Sequence, residues 1–65
     1  MTYEEYTKEA ADYLKKRKFT DEQITSYFKE ADTQEILKEH YECYSTDKFD
    51  SYSPSATASC LYMLY

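Results

Sequence analysis

The sequence predicts an all-α protein: a small bundle of four short helices packed around an apolar C-terminal helix. Three observations carry this. The 65 residues include no glycine and no valine, and Ile24 and Ile36 are the only isoleucines. Tight hairpins want glycine at the turn and strands want branched aliphatic residues, so a β-fold has little to build with. Four segments open with helix-capping chemistry. Behind three of those caps, apolar residues recur at the i, i+3, i+4, i+7 spacing of an amphipathic helix. A chain of this length forms one domain at most, so residues 1–65 read as a single helical domain.

The first helix, expected over about residues 3–18, starts from a capping box in which Thr2 answers Glu5. Tyr3, Tyr6, Ala10, Tyr13 and Leu14 share its apolar side. The second, about 21–30, starts from the box Thr20–Gln23 and turns Ile24, Tyr27, Phe28 and Ala31 inward. The third, about 33–45, is expected to start from Asp32 as cap with Glu35 answering, and to bury Ile36, Leu37, His40, Tyr41 and Tyr44. Met1 with Tyr6, Phe19 with Ile24 and Ala31 with Ile36 have the spacing of hydrophobic staples. Residues 46–53 break the period and read as a loop. The fourth helix, 54–64, follows Ser53 with Pro54 at the favoured first position. Only Ser55 and Ser59 form a polar strip on it, so it is expected to be buried on most of its circumference, as the central element.

Small size makes the core thin, since a chain this short buries only ~60% of the surface it exposes when unfolded. Leucine, isoleucine and phenylalanine together make nine of the 65 residues, below the ~20% typical of folded domains. Nine tyrosines offset this, each a large apolar ring with a polar tip that needs a partner. The N-terminus, Met-Thr-Tyr-Glu-Glu-Tyr, is too polar for a secretory signal. The longest apolar run, Cys60–Tyr65, is far short of the ~20 residues that span a bilayer. A cytoplasmic protein with no membrane contact is expected. The lack of glycine also excludes both glycine-rich phosphate loops.

Thirteen acids against eight bases give a net charge of −5. The imbalance sits in residues 21–50, which carry nine acids and three bases. Asp32, Glu35, Glu39 and Glu42 fall within about 80° of one another on the third helix, opposite its apolar side. Glu30, Asp47 and Asp50 extend the field. Such a face steers a basic partner toward it and raises the association rate. The competing reading is a solvated face in which Asp21, Glu22 and Asp32 complement helix N-termini. Steps of about 5–6 Å between acids along a helix do not match the ~3.4 Å phosphate rise of a nucleic-acid strand, so mimicry has to follow a curved phosphate path.

The other clusters have plainer readings. Lys15, Lys16, Arg17 and Lys18 complement the dipole at a helix C-terminus, and four bases beside so many acids make a poor phosphate binder, so no direct nucleic-acid contact is expected. His40 and Cys43 lie one turn apart and Cys60 on another helix, a set that zinc could use only with Glu39 or Asp47 as fourth ligand and with two elements converging. No C-x-x-C pair supports it, and buried cysteine is commonly a small hydrophobe. Cys43 with His40 lacks the orienting group and oxyanion hole of a nucleophile. No catalysis, metal or cofactor is expected. Tyr62 and Tyr65, at the apolar C-terminal end, are candidate contact residues, because interface hot spots are rich in tyrosine.

Small size, the acidic 21–50 segment and the missing catalytic constellation together resemble the very short, acidic, single-domain proteins of phages and conjugative elements, anti-CRISPR proteins among them. The resemblance implies an inhibitor acting in the host cytoplasm. Its partner would be a CRISPR effector or another nucleic-acid-binding protein, blocked through negative charge at Glu35, Glu39 and Glu42. The alternative function is an assembly module that self-associates through the Tyr/Leu-rich C-terminal helix. The chain is then a homodimer rather than a monomer.

Overall fold

Side chains close the start of the first two helices as the sequence requires. Thr2 Oγ1 accepts from the Glu5 amide at 3.1 Å while Glu5 Oε1 accepts from the Thr2 amide at 3.0 Å. The bond from the Thr2 amide, aided by the nearby Thr2 hydroxyl, holds the Glu5 carboxyl below its usual pKa. Thr20 and Gln23 repeat the reciprocal pair. The structure, a computed structural model, describes residues 1–47 and 50–64, with the side chains of Asp47 and Asp50 left aside. Candidate Tyr65 and the side chains of candidates Asp47 and Asp50 therefore lie outside the described residues. Four α-helices follow in order: α1 (Tyr3–Lys16), α2 (Asp21–Lys29), α3 (Ala31–Asp47) and, after a 3-10 turn at Asp50–Tyr52, α4 (Pro54–Leu64). No strand occurs among the described residues.

The end of α1 shows what a glycine-free chain does at a helix stop. The Phe19 amide reaches back to the Leu14 carbonyl at 3.2 Å and the Lys18 amide to the Lys15 carbonyl at 3.0 Å. This is the Schellman pattern, which needs a left-handed residue. Lys18 supplies it, at φ 72°. A side chain with a Cβ pays for that conformation in strain of about 1–2 kcal/mol, which glycine avoids. Lys18→Gly is expected to stabilise the fold by about 1 kcal/mol and raise the melting temperature by roughly 4–8 °C, read by thermal denaturation. A fall in melting temperature contradicts the reading.

The start of α3 departs from expectation. Asp32 is not its cap. The helix opens two residues earlier than expected, at Ala31, and Asp32 lies in the first turn. Glu30, extended at φ −69° and ψ 138°, ends α2, and its carbonyl accepts the first α3 bond from the Gln34 amide at 3.0 Å. One residue thus serves both helices, which leaves no room for a separate cap. The far end also differs. Helix α3 runs to Asp47 because no glycine or proline intervenes to stop it. Of the expected loop, Thr46 and Asp47 belong to α3 and Asp50–Tyr52 form the 3-10 turn.

The core consists of Tyr6, Ala10 and Leu14 from α1, Ile24 and Tyr27 from α2, Leu37 from α3, and Ala58 and Leu61 from α4. Helices α1 and α4 form the most extensive pair, and α2 packs on α3. All three other helices touch α4, α2 by the Tyr27 hydroxyl donating to the Leu61 carbonyl at 2.7 Å. Helix α4 is nonetheless buried on one side only: Pro54, Thr57, Ala58 and Leu61 face inward while Cys60, Met63 and Leu64 are exposed. A bundle of three partner helices this short cannot enclose a fourth. Ala31, Tyr3 and Tyr13 also leave the core face to which the period assigned them. Tyr3 instead sets its ring edge-on to Tyr41 at 5.3 Å, and Tyr13 carries the Lys16 ammonium 5.0 Å over its face.

Candidate functional site: an acid-rimmed groove at the α2–α3 junction

The sharing of Glu30 between two helices shapes the surface. It turns α3 so that its first two turns lie beside the end of α2 and the last turn of α4. Between them runs an open groove of about 490 Å³. Its apolar floor is Tyr27, Ile36 and Leu64, with Thr33 among the lining residues. Glu30, Asp32, Glu35 and Glu39 stand on its rim, and all four are exposed. Among the described residues the ion pair is Lys15 with Asp21 at 2.9 Å, so no cation is paired with a rim carboxylate. The lining includes no lysine or arginine. Among the described residues, then, the rim gathers four exposed carboxylates without an ion pair beside apolar surface.

Glu42 does not join the rim. It lines a separate groove of about 400 Å³ with Tyr3, Gln34, Lys38 and Tyr41. The helical stripe read from the sequence is thus split by the flanks of α3, with Glu39 on one side and Glu42 on the other. Tyr62 is also elsewhere. Its ring lies 5.9 Å from Phe19 and carries the Arg17 guanidinium at 5.0 Å. The α4 residue that reaches the groove is Leu64, 63% exposed. Sequence reasoning placed Tyr27 and Ile36 in the core and noted Leu64 only as part of an apolar tail. What it lacked was the arrangement that makes them one floor.

A second polar cluster lies inside the fold. The Tyr6 hydroxyl donates to the Tyr52 carbonyl at 2.6 Å and also meets Thr57 Oγ1 at 2.6 Å. Thr57 Oγ1 in turn lies 3.0 Å from His40 Nδ1. Tyr6 has one proton and the carbonyl takes it, so Thr57 donates to Tyr6 and His40 donates from Nδ1 to Thr57. Burial lowers the His40 pKa, against a smaller opposing pull from Glu39. Burial raises the Tyr6 pKa. The chain of bonds joins α1, α3, the 3-10 turn and α4, and it gives the fully buried Thr57 a partner on each side.

His40 is therefore engaged in structure, at the edge of the Tyr52 ring, 5.0 Å between centroids. Cys43 is half-buried and Cys60 exposed, both as free thiols. No group of three or more His, Cys, Asp or Glu side chains gathers to hold a metal among the described residues. No helix among them is long and apolar enough to cross a membrane. Comparison with protein-family models, with curated proteins and with solved structures finds no match to this chain, so the reading of the groove rests on its own geometry and charge.

Proposed function

We propose that this protein is a non-enzymatic inhibitor or regulator that binds a basic, nucleic-acid-handling protein, an anti-CRISPR-like role, through the acidic face of α2 and α3. One observation supports this above the others: Glu30, Asp32, Glu35 and Glu39 converge on one groove and none of them is ion-paired among the described residues. Gathering like charges costs folding energy, a few tenths of a kcal/mol for an exposed i, i+4 pair such as Glu35 and Glu39. A basic surface that normally meets phosphates removes that cost on binding and is steered toward the face by its field.

The test is recovery of bound protein from a bacterial lysate on the tagged chain, at about 0.05 and about 0.5 M salt, with mass-spectrometric identification. The native chain is expected to retain a nucleic-acid-handling protein at low salt and to lose most of it at high salt. Glu35→Lys/Glu39→Lys is expected to abolish recovery with helicity intact. Glu42→Lys, on the other groove, is expected to spare it. Equal recovery by the native and doubly reversed chains sinks the reading.

A second reading is favoured by the exposed end of α4, where Met63 is 80% and Leu64 63% accessible. Apolar surface of this kind on so small a fold suits a second copy. Light scattering after gel filtration separates the two, since only this reading demands a dimer that Leu64→Glu dissociates.

A further inference from the structure

We propose that the groove at the α2–α3 junction receives one amphipathic basic helix of its protein partner. Apolar side chains one turn apart on that helix pack on Tyr27, Ile36 and Leu64, and its lysines or arginines lie over Glu30, Asp32, Glu35 and Glu39. This rests on the reading above and gives the chemistry of the partner.

The dimensions fit such an occupant. From Asp32 to Glu39 the rim runs about 10 Å along α3, two helical turns. That length seats two anchors at i and i+3 or i+4 on a facing helix, the spacing by which helices fill apolar grooves. The volume of about 490 Å³ lies within the range of pockets that hold bulky groups.

Charge complementarity selects the partner. Its flanking residues must be basic, because the rim offers four carboxylates and the lining no cation. Its anchors must be apolar, because the floor is. A surface built only to imitate phosphates has no use for an apolar floor. Among the described residues Leu64 is open to an incoming side chain, whereas Leu61, three residues earlier on the same helix, is fully buried.

A second copy of this chain does not fit. Its own basic run, Lys15–Lys18, ends a helix whose apolar side, Tyr6, Ala10 and Leu14, is already spent in the core. That run can present charge to the groove but no anchors, and the exposed apolar end of α4, Met63 and Leu64, can present anchors but no charge, since α4 carries no lysine or arginine.

The probe is a synthetic peptide of about 16 residues, long enough to form helix on binding. It is built from leucine, lysine and alanine, with leucines on one face and one tryptophan among them. Its control is a scrambled peptide of the same composition. The chain itself has no tryptophan, so tryptophan fluorescence, excited to the red of its tyrosines' absorption, reports the peptide alone. The patterned peptide is expected to bind at least roughly tenfold more tightly than the scrambled one, with a blue shift as the ring leaves water. Leu64→Glu is expected to erase that preference while circular dichroism stays native, since Leu64 is exposed. Glu35→Lys/Glu39→Lys is expected to weaken both peptides.

The outcomes that overturn the proposal are distinct. Equal binding of the two peptides, or indifference to Leu64→Glu, removes the helix-binding groove; if charge reversal still weakens both, the acidic face itself survives. A patterned peptide that binds preferentially but ignores charge reversal removes the acidic face, and with it the basic character assigned to the partner. Binding of neither peptide overturns the proposal outright.

Discussion

Leu61→Ala is expected to leave the protein largely unfolded at room temperature. Leu61 is fully buried, at the point where α4 meets the core residues of α1 and where the Tyr27 hydroxyl bonds its carbonyl. Truncating a buried leucine removes its transfer free energy and leaves a cavity, at a cost of about 2–5 kcal/mol. A single core in so short a chain supplies only about 3–5 kcal/mol in total. The loss therefore matches the whole margin. Leu64→Ala makes the same chemical change one turn later, at a residue 63% exposed, and is expected to change stability by less than about 0.5 kcal/mol. Urea titration followed by far-UV circular dichroism compares the two. Equal effects would mean that α4 does not bury the side described.

Tyr6→Phe has the next largest expected effect. The ring stays and only the hydroxyl leaves, so packing against Tyr41 and Tyr44 survives. The Tyr52 carbonyl loses its donor and the Thr57 hydroxyl loses its acceptor. Leaving buried polar groups unpaired costs about 1–3 kcal/mol, or roughly 4–8 °C of melting temperature for each kcal/mol. Adding Thr57→Val removes the orphaned hydroxyl, and the double variant is expected to recover part of the loss. His40 then finds water at its partly exposed edge. A double variant that loses the sum of the two single effects shows that the hydroxyls are not coupled. The same network makes the fold sensitive to acid. The folded His40 pKa lies below its unfolded value, so its contribution is complete above the unfolded value of ~6.5 and declines as the pH falls through and below it.

The helices themselves were legible because capping is local. A threonine and the Glu or Gln three residues on satisfy each other's backbone amides without help from the rest of the chain, and Thr2–Glu5 and Thr20–Gln23 do so where expected. Pro54 opens α4 for the same reason, with the Thr57 amide bonding the Ser53 carbonyl at 2.9 Å. Asp32–Glu35 has the same spacing and fails, because Glu30 had already committed the chain to α3. The absence of glycine was visible, but it was read only against hairpins and phosphate loops. That Lys18 takes the left-handed place follows from where α1 ends, which a four-residue basic run does not reveal.

What the sequence determined by itself was the class of fold, the approximate ends of α1, α2 and α4, most of the buried residues, and the acidity of the 21–50 segment. Each depends on neighbours within about one helical turn, where periodicity and caps speak directly. Only the tertiary structure decided which acids act together. Glu39 and Glu42 are three residues apart on one helix, yet they border different grooves, because each groove is bounded by a different neighbour of α3. The same is true of Leu64 joining Tyr27 and Ile36, of Tyr62 facing Arg17 and Phe19 instead, and of Thr57 buried between Tyr6 and His40. Those contacts join residues far apart in the chain, and the crossing of helices that creates them is set by how side chains interlock, which a helical period does not encode.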